Sequence, residues 1–412
     1  MPAGTLHILL VRSADPPLLS RNRVDKPKRN TLASTLGSLL IGALFGAVIV
    51  TGFLTAQGTD GTAPSAQLGP GSLTVLIVGG VITLFLVIAA HELGHLLGGR
   101  LARFRFLLLV VGPLKITRTA NGLVPSWNRS LPLAGGLAAS GPRPDDLEGL
   151  ARRTGYMVAG GPLTSLVLGL ASLQAYRALF DAPAMATEPA FVVLVRLLMI
   201  AGLASVGIGI ITLIPGKTSG FMTDGARMLQ ILKGGSAAEA EIAVQTLVAW
   251  STGGVRPSEW RPEVIERALT APAGPFQVVA QHFAWRHASA TGDSEQEQIH
   301  RRALLERLGQ APELVQAGLL LDVSTQCSLS GDAVEARTLY ERVDPEGAIL
   351  DPHAALLARA ALAAAEGDLT LAAALVDQAE ALLSLAMDPG TLACDRERIG
   401  LVRALISSSP AL

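Results

Sequence analysis

The sequence predicts an α-helical polytopic membrane protein with about four transmembrane helices, a small β-hairpin region at the membrane surface and an all-α, helical-repeat-like cytoplasmic domain. Three observations predict it. Half of the 412 residues are hydrophobic and 16% are charged, whereas ordinary soluble domains carry about 25% charged residues. Long uncharged runs crowd residues 31 to 214, and charge returns after them. Basic residues gather in alternate connections between those runs. The mean hydropathy is +0.43, which excludes an ordinary soluble enzyme. A net charge of −1 offers no electrostatic footprint for a nucleic-acid partner.

Residues 1–30 hold Arg12, Arg21, Arg23, Lys26, Lys28 and Arg29 without the compact pattern of a secretory signal, and read as a cytoplasmic tail. The first span is expected at 31–54, with Gly42 and Gly46 spaced for close helix contact. Further spans are expected at about 73–98, 155–178 and 190–214. Segments 55–72 and 179–189 have no Lys or Arg, while 99–154 carries nine. By the positive-inside rule, the N-terminus, the 99–154 segment and everything past 215 face the cytoplasm. Arg196, inside the last span, is expected to snorkel or to pack against a neighbour. Only five of the basic residues are Lys, a usage that fits a GC-rich bacterial genome and hence a bacterial inner membrane.

His91-Glu92-Leu93-Gly94-His95 lies in the second span. On a helix, positions i and i+4 share one face, so both imidazoles reach a single ion. Glu92 then stands beside the ion, positioned to take a proton from water rather than to ligate. Three ionisable groups inside an apolar helix are costly unless they have partners or a function.

A catalytic zinc takes three protein ligands and leaves a position for water. The third ligand must come from the cytoplasmic side. Asp60 and Asp181 are on the other side, and Asp145 and Asp146 sit in a polar Pro/Arg loop. Asp224 follows the last span after Pro215 and Gly216, where the chain can turn back toward the membrane. Thr223-Asp224 also suits a helix N-cap ahead of 226–232. Both readings stand on the residues alone.

These residues resemble the site-2 proteases, membrane zinc metalloproteases of the M50 type. The resemblance covers residues 73–232, a catalytic membrane core, and rests on three motifs in order. They are His91-Glu92-Leu93-Gly94-His95, Ala159-Gly160-Gly161-Pro162-Leu163-Thr164-Ser165, and Leu213-Ile214-Pro215 followed by Thr223-Asp224-Gly225. The resemblance implies His91, His95 and Asp224 as zinc ligands and Glu92 as general acid/base in peptide hydrolysis. It implies a single-span membrane protein as substrate, such as an anti-sigma factor or a signal-peptide remnant. Two departures stand out: Thr212 occupies the family's Asn position, and Pro215 lies nine residues before Asp224 instead of five.

Leu114 to Thr119 alternates, Asn121-Gly122 signals a turn, and Leu123-Val124 resume, which reads as a hairpin. The resemblance implies that a free edge there pairs with an extended substrate; a hairpin that only covers the site is the other reading. Gly160, Gly161 and Pro162 read as a packing device, with Gly94 and Gly98 as the facing surface. Pro162 is expected near the start of its helix, where it costs few hydrogen bonds.

Residues 233–262 read as a linker and 263–412 as a helical domain. Gly292-Asp293, Gly331-Asp332 and Gly367-Asp368 recur at spacings of 39 and 36, and the pattern resembles tetratricopeptide-type helix pairs. Such a domain is expected either to bind a protein partner or to cap the membrane core. Cys327 and Cys394 are too few and too far apart for a disulfide framework or a metal site. His7, His282, His287, His300 and His353 are scattered in polar contexts and are expected at the surface. Against the protease reading stand a catalytically silent membrane scaffold that works through its helical domain, and a zinc transporter. An intact Glu92 argues against the first, and the lack of a second acidic cluster along the spans argues against the second.

Overall fold

The computed structural model of the chain describes residues 68–119, 121–128, 135–218, 221–344 and 350–408. The tail expected at 1–30, the span expected at 31–54 and His7 lie outside the described residues. Among the described residues, three helices are long and apolar enough to cross a membrane: α1 (Pro70–Leu101), α2 (Leu150–Phe180) and, after the short α3 (Ala184–Thr187), α4 (Pro189–Leu213). They fall where the second, third and fourth spans are expected. Large apolar side chains such as Leu86, Leu163 and Ile210 stay exposed on their outer faces.

Small residues bring the three helices together. A Cβ at Gly94 would strike the Gly160 carbonyl, one at Gly98 the Tyr156 carbonyl, and one at Gly202 the side chain of Leu173. The α1–α2 and α2–α4 seams therefore close to backbone contact. Leu76, Leu84 and Val87 of α1 meet Val193, Ile200 and Ala204 of α4 in an apolar cluster. Arg196 is buried on α4, at 5% exposure, so it packs inward. Helix α2 begins at Leu150, which puts Pro162 well inside the helix rather than near its start. There it forfeits the bond to the Val158 carbonyl.

Between α1 and α2 the chain forms an antiparallel sheet of β1 (Arg105–Val111), β2 (Leu114–Thr119), β3 (Gly122–Trp127) and β4 (Leu137–Gly141), in the order β3-β2-β1-β4. The expected hairpin is β2–β3, but its ladder closes with Thr119 opposite Gly122, one residue earlier than the Asn-Gly signal suggested. The sheet does not rest at the end of α1. A Cβ at Gly112, in the β1–β2 turn, would lie 2.8 Å from the Phe85 ring, and Phe85 is 16 residues before the end of α1, about 24 Å along the helix. The apolar run Phe106–Val111 explains this, because it is stabler against the helix than in water. Arg153 fixes the corner by donating to the Ala102 carbonyl (2.8 Å) and pairing with Asp146 (2.9 Å).

After α4 come a two-residue ladder, β5 (Lys217–Thr218) with β6 (Phe221–Met222), and the helix α5 (Asp224–Lys233). The segment expected as a linker instead contains the 18-residue helix α6 (Gly235–Thr252) and Trp260, which is 2% exposed. Apolar residues on α6, among them Val244, Leu247 and Trp250, pack on Trp260 and Phe283. Then follow α7 (Pro262–Leu269), α8 (Pro275–Thr291), α9 (Ser294–Arg307), α10 (Glu313–Leu329), α11 (Ala333–Glu341), α12 (Ala354–Ala365), α13 (Leu369–Leu382) and α14 (Pro389–Ser408). At each Gly-Asp site the glycine takes a left-handed conformation and the aspartate caps the next helix. Asp293, Asp332 and Asp368 accept from the amides of Gln296, Glu335 and Leu371 at 3.0–3.1 Å. The surface expectation fails for His353, which is 2% exposed and 3.0 Å from Asp395. His282 is also drawn inward, 2.8 Å from Asp322.

Candidate metal centre

His91, Glu92 and His95 sit on α1, with His91 ten residues before its end at Leu101, about 15 Å along the axis. Asp224 opens α5 just past α4. These elements bring His91, His95 and Asp224 together as the one group among the described residues whose ligand atoms could share a metal ion. The His91 and His95 Nε2 atoms are 3.2 Å apart, and each lies 3.4–3.5 Å from an Asp224 carboxylate oxygen. Two zinc bonds of about 2.0–2.1 Å at the tetrahedral angle separate their donor atoms by about 3.3–3.4 Å. In this triangle of side chains the two imidazole donors therefore stand at the spacing of two ligands on one tetrahedral zinc, and a different Asp224 oxygen faces each of them, Oδ2 toward His91 and Oδ1 toward His95.

The opposite side of each imidazole is also held. His95 Nδ1 lies 3.0 Å from the Met157 carbonyl. A carbonyl only accepts, so Nδ1 carries the proton and Nε2 presents its lone pair to the triangle. His91 Nδ1 lies 2.9 Å from the Ser165 hydroxyl, inside the packed α1–α2 seam. Gly161 lies against the His95 ring, where a Cβ would overlap it. The Gly-Gly-Pro segment thus packs the helices, as expected, and also leaves room for a ligand.

Glu92 is 9% exposed and faces β4. A Cβ at Gly136, on the approach to β4, would fall 2.6 Å from Glu92 Oε1. The carboxylate is next to the triangle but is not one of its donors. β4 is an outer strand of the sheet. The other outer strand, β3, is separated from β4 by β1 and β2 and carries Pro125, whose missing N–H blunts that edge. The edge beside the candidate site is therefore β4, not the hairpin strands singled out in the sequence.

The loop before α5 explains how Asp224 reaches the histidines. Thr223 is the N-cap: its hydroxyl accepts from the Ala226 amide (3.3 Å) and the Gly216 amide (3.0 Å) and donates to the Ile214 carbonyl (2.8 Å). With the cap taken by Thr223, the Asp224 carboxylate is available to the triangle. Gly225 touches the Leu213 carbonyl so closely that no Cβ fits, which seats the start of α5 against the end of α4. Thr212 donates only weakly to Gly209 of its own helix, at 3.4 Å, so the loop is stitched by Thr223 instead. Among the other carboxylates, Asp146 is taken by Arg153 and Asp181 stands just past the far end of α2.

Ser165, Met157, Gly136 and β4 were not assigned to the site from the sequence. Ser165 carried a signal, being a hydroxyl in an apolar helix within a quoted motif. Leu137–Gly141 carried none, since its small residues show no alternation. No protein-family model, curated protein or solved structure matches the chain.

Proposed function

We propose that the chain is an intramembrane zinc metalloprotease of the site-2 protease type. It would hydrolyse a peptide bond within or near the membrane segment of a membrane-anchored protein. The observation that carries this reading is the His91–His95–Asp224 triangle with the Glu92 carboxylate adjacent but outside it. A metal bound only for structure needs ligands and no neighbouring base, and burying a carboxylate is costly.

Zinc held by the three residues would supply Lewis-acid activation of the scissile carbonyl and an acidified water. Glu92 takes the proton of the attacking water and returns it to the leaving amine nitrogen. The Met157 carbonyl and the Ser165 hydroxyl keep the two imidazoles aimed at the triangle throughout. A membrane helix satisfies its own backbone and must unwind before cleavage. The β4 edge offers replacement hydrogen bonds to the unwound segment, which would add to the sheet as a further strand beside Glu92.

The basic residues of 99–154 argue for a site opening to the cytoplasm of a bacterial inner membrane, with both termini on that side. Single-span proteins such as an anti-sigma factor or a signal-peptide remnant are the substrates to try, and the helical domain offers a surface for a protein partner. The test is cleavage of tagged single-span proteins by the purified full-length chain in detergent. Wild type should cut within or near the span, and Glu92→Gln should be slower by about 10²-fold or more. Equal cleavage by the two would remove Glu92 from the chemistry, and partner binding through the helical domain with no cleavage of any substrate would favour the scaffold reading.

A further inference from the structure

The structure assigns Glu241 a role at a distance. We infer that it is a positioning residue for the metal centre, holding the helix that carries Asp224 in register with the helix that supports His95. This rests on the metal-centre reading above and adds a residue that none of the sequence motifs contains.

Glu241 lies on α6 and is 1% exposed. A buried carboxylate is retained only with matched partners. Its oxygens accept from Arg227 Nε (2.7 Å), Gln230 Nε2 (2.8 Å) and Gln245 Nε2 (3.1 Å). Arg227 and Gln230 are on α5, whose first residue is Asp224. Gln245 in turn accepts from Thr154 Oγ1 at 2.8 Å. Thr154 is fully buried on α2, one turn before Met157, whose carbonyl orients His95. The polar chain therefore runs from the Asp224 helix through Glu241 to the helix behind His95, and ties together the two elements that carry Asp224 and the Met157 carbonyl.

Helix α5 has little else to hold it. It is ten residues long, and only Gly225 in it is fully buried. Met228 and Ile231 are partly buried against Met157 and Val158. Its start is set by the Thr223 cap and by Gly225 on Leu213, and the Glu241 clamp sets the next two turns. Displacements well under about 1 Å matter for a metal ligand, so a helix free to tilt at its far end would misplace Asp224. The Arg227 guanidinium also lies over the Phe276 ring of α8, 6.0 Å from its centroid. The C-terminal domain thus touches the same clamp.

The test uses the full-length chain in detergent and two metal readouts, with folding followed by circular dichroism. Zinc affinity is measured by competition with a chromogenic chelator, and the visible spectrum is recorded after loading with cobalt(II). Glu241→Ala should weaken zinc binding by about 10-fold or more and move the cobalt spectrum toward that of Asp224→Ala, with Glu241→Gln between it and wild type. A folded Glu241→Ala with wild-type zinc affinity and an unchanged cobalt spectrum would overturn the inference. If Glu241→Ala does not fold, Gln230→Ala and Arg227→Gln each remove one strut, and should shift both readouts the same way. Unchanged readouts in both would count equally against it. A wild-type chain that binds neither metal stoichiometrically would sink the metal-centre reading itself, which is a different failure.

Discussion

His95 Nδ1 and the Met157 carbonyl oxygen lie 3.0 Å apart across the α1–α2 seam, which fixes the tautomer of a candidate metal ligand. The carbonyl belongs to the backbone, so its position depends on how closely α2 approaches α1. That approach depends on glycine at the points of contact. The geometry of the candidate metal centre and the packing of the two helices are therefore one problem.

Gly161 is the sharpest place to test that dependence. Its missing side chain leaves the space that the His95 ring occupies. Gly161→Ala should tilt the ring and lower zinc affinity by about 10–100-fold, read by chelator competition. Gly71→Ala, on the same face of the problem only in being a helical glycine, meets nothing within 4 Å and should leave affinity unchanged. Equal affinities in all three proteins would show that the ring is not confined by Gly161.

Ser165→Ala removes the hydroxyl 2.9 Å from His91 Nδ1. The imidazole keeps its place in the helix but loses its orienting partner, and zinc should bind about 10–100-fold more weakly. The fold should be unaffected by circular dichroism. Wild-type affinity in this variant would mean that helix packing alone orients His91.

Thr223→Ala removes the cap and the stitch to Ile214 and Gly216 together. Loss of the cap should cost about 1 kcal/mol of stability, seen as a lower thermal midpoint. Zinc affinity should fall with it, because Asp224 is the next residue. A lower midpoint with unchanged zinc affinity would separate the cap from the ligand.

The helical domain gives a pH-dependent prediction. Burial pushes the Asp322 carboxyl up, but the Arg286 and Arg398 guanidiniums and His282 outweigh it and hold it well below the usual carboxylate range. A depressed folded value means stability that is present above the unfolded value of about 3.9 and lost as pH falls through the folded value. Asp322→Asn should therefore cost about 3–5 kcal/mol near neutral pH, and thermal melts should show the gap to wild type narrowing below about pH 4. A gap that stays constant down to strongly acid pH would contradict the assignment.

Much of this arrangement is legible in the sequence because it is carried by local patterns. The His-x-x-x-His spacing needs only a helix, and the three apolar helices announce themselves by length. Gly331-Asp332 and its two counterparts encode both a left-handed turn and a cap within two residues. What the sequence does not reveal depends on contacts between distant elements. Leu137–Gly141 becomes a strand only because β1 is beside it, and it matters only because α1 places Glu92 next to it. At Thr223-Asp224 the cap falls to Thr223, which leaves the Asp224 carboxylate facing the two histidines. Residues 233–262 look like a linker because Gly and Pro punctuate them, yet Leu247, Trp250 and Trp260 form a core with Phe283.

The most direct test of the central claim is the zinc content of the purified full-length chain, measured beside Asp224→Ala and His95→Ala. Wild type should carry about one zinc per chain, with both variants largely depleted after the same dialysis. A wild-type chain without zinc, or variants that retain it in full, would contradict a metal centre built from His91, His95 and Asp224.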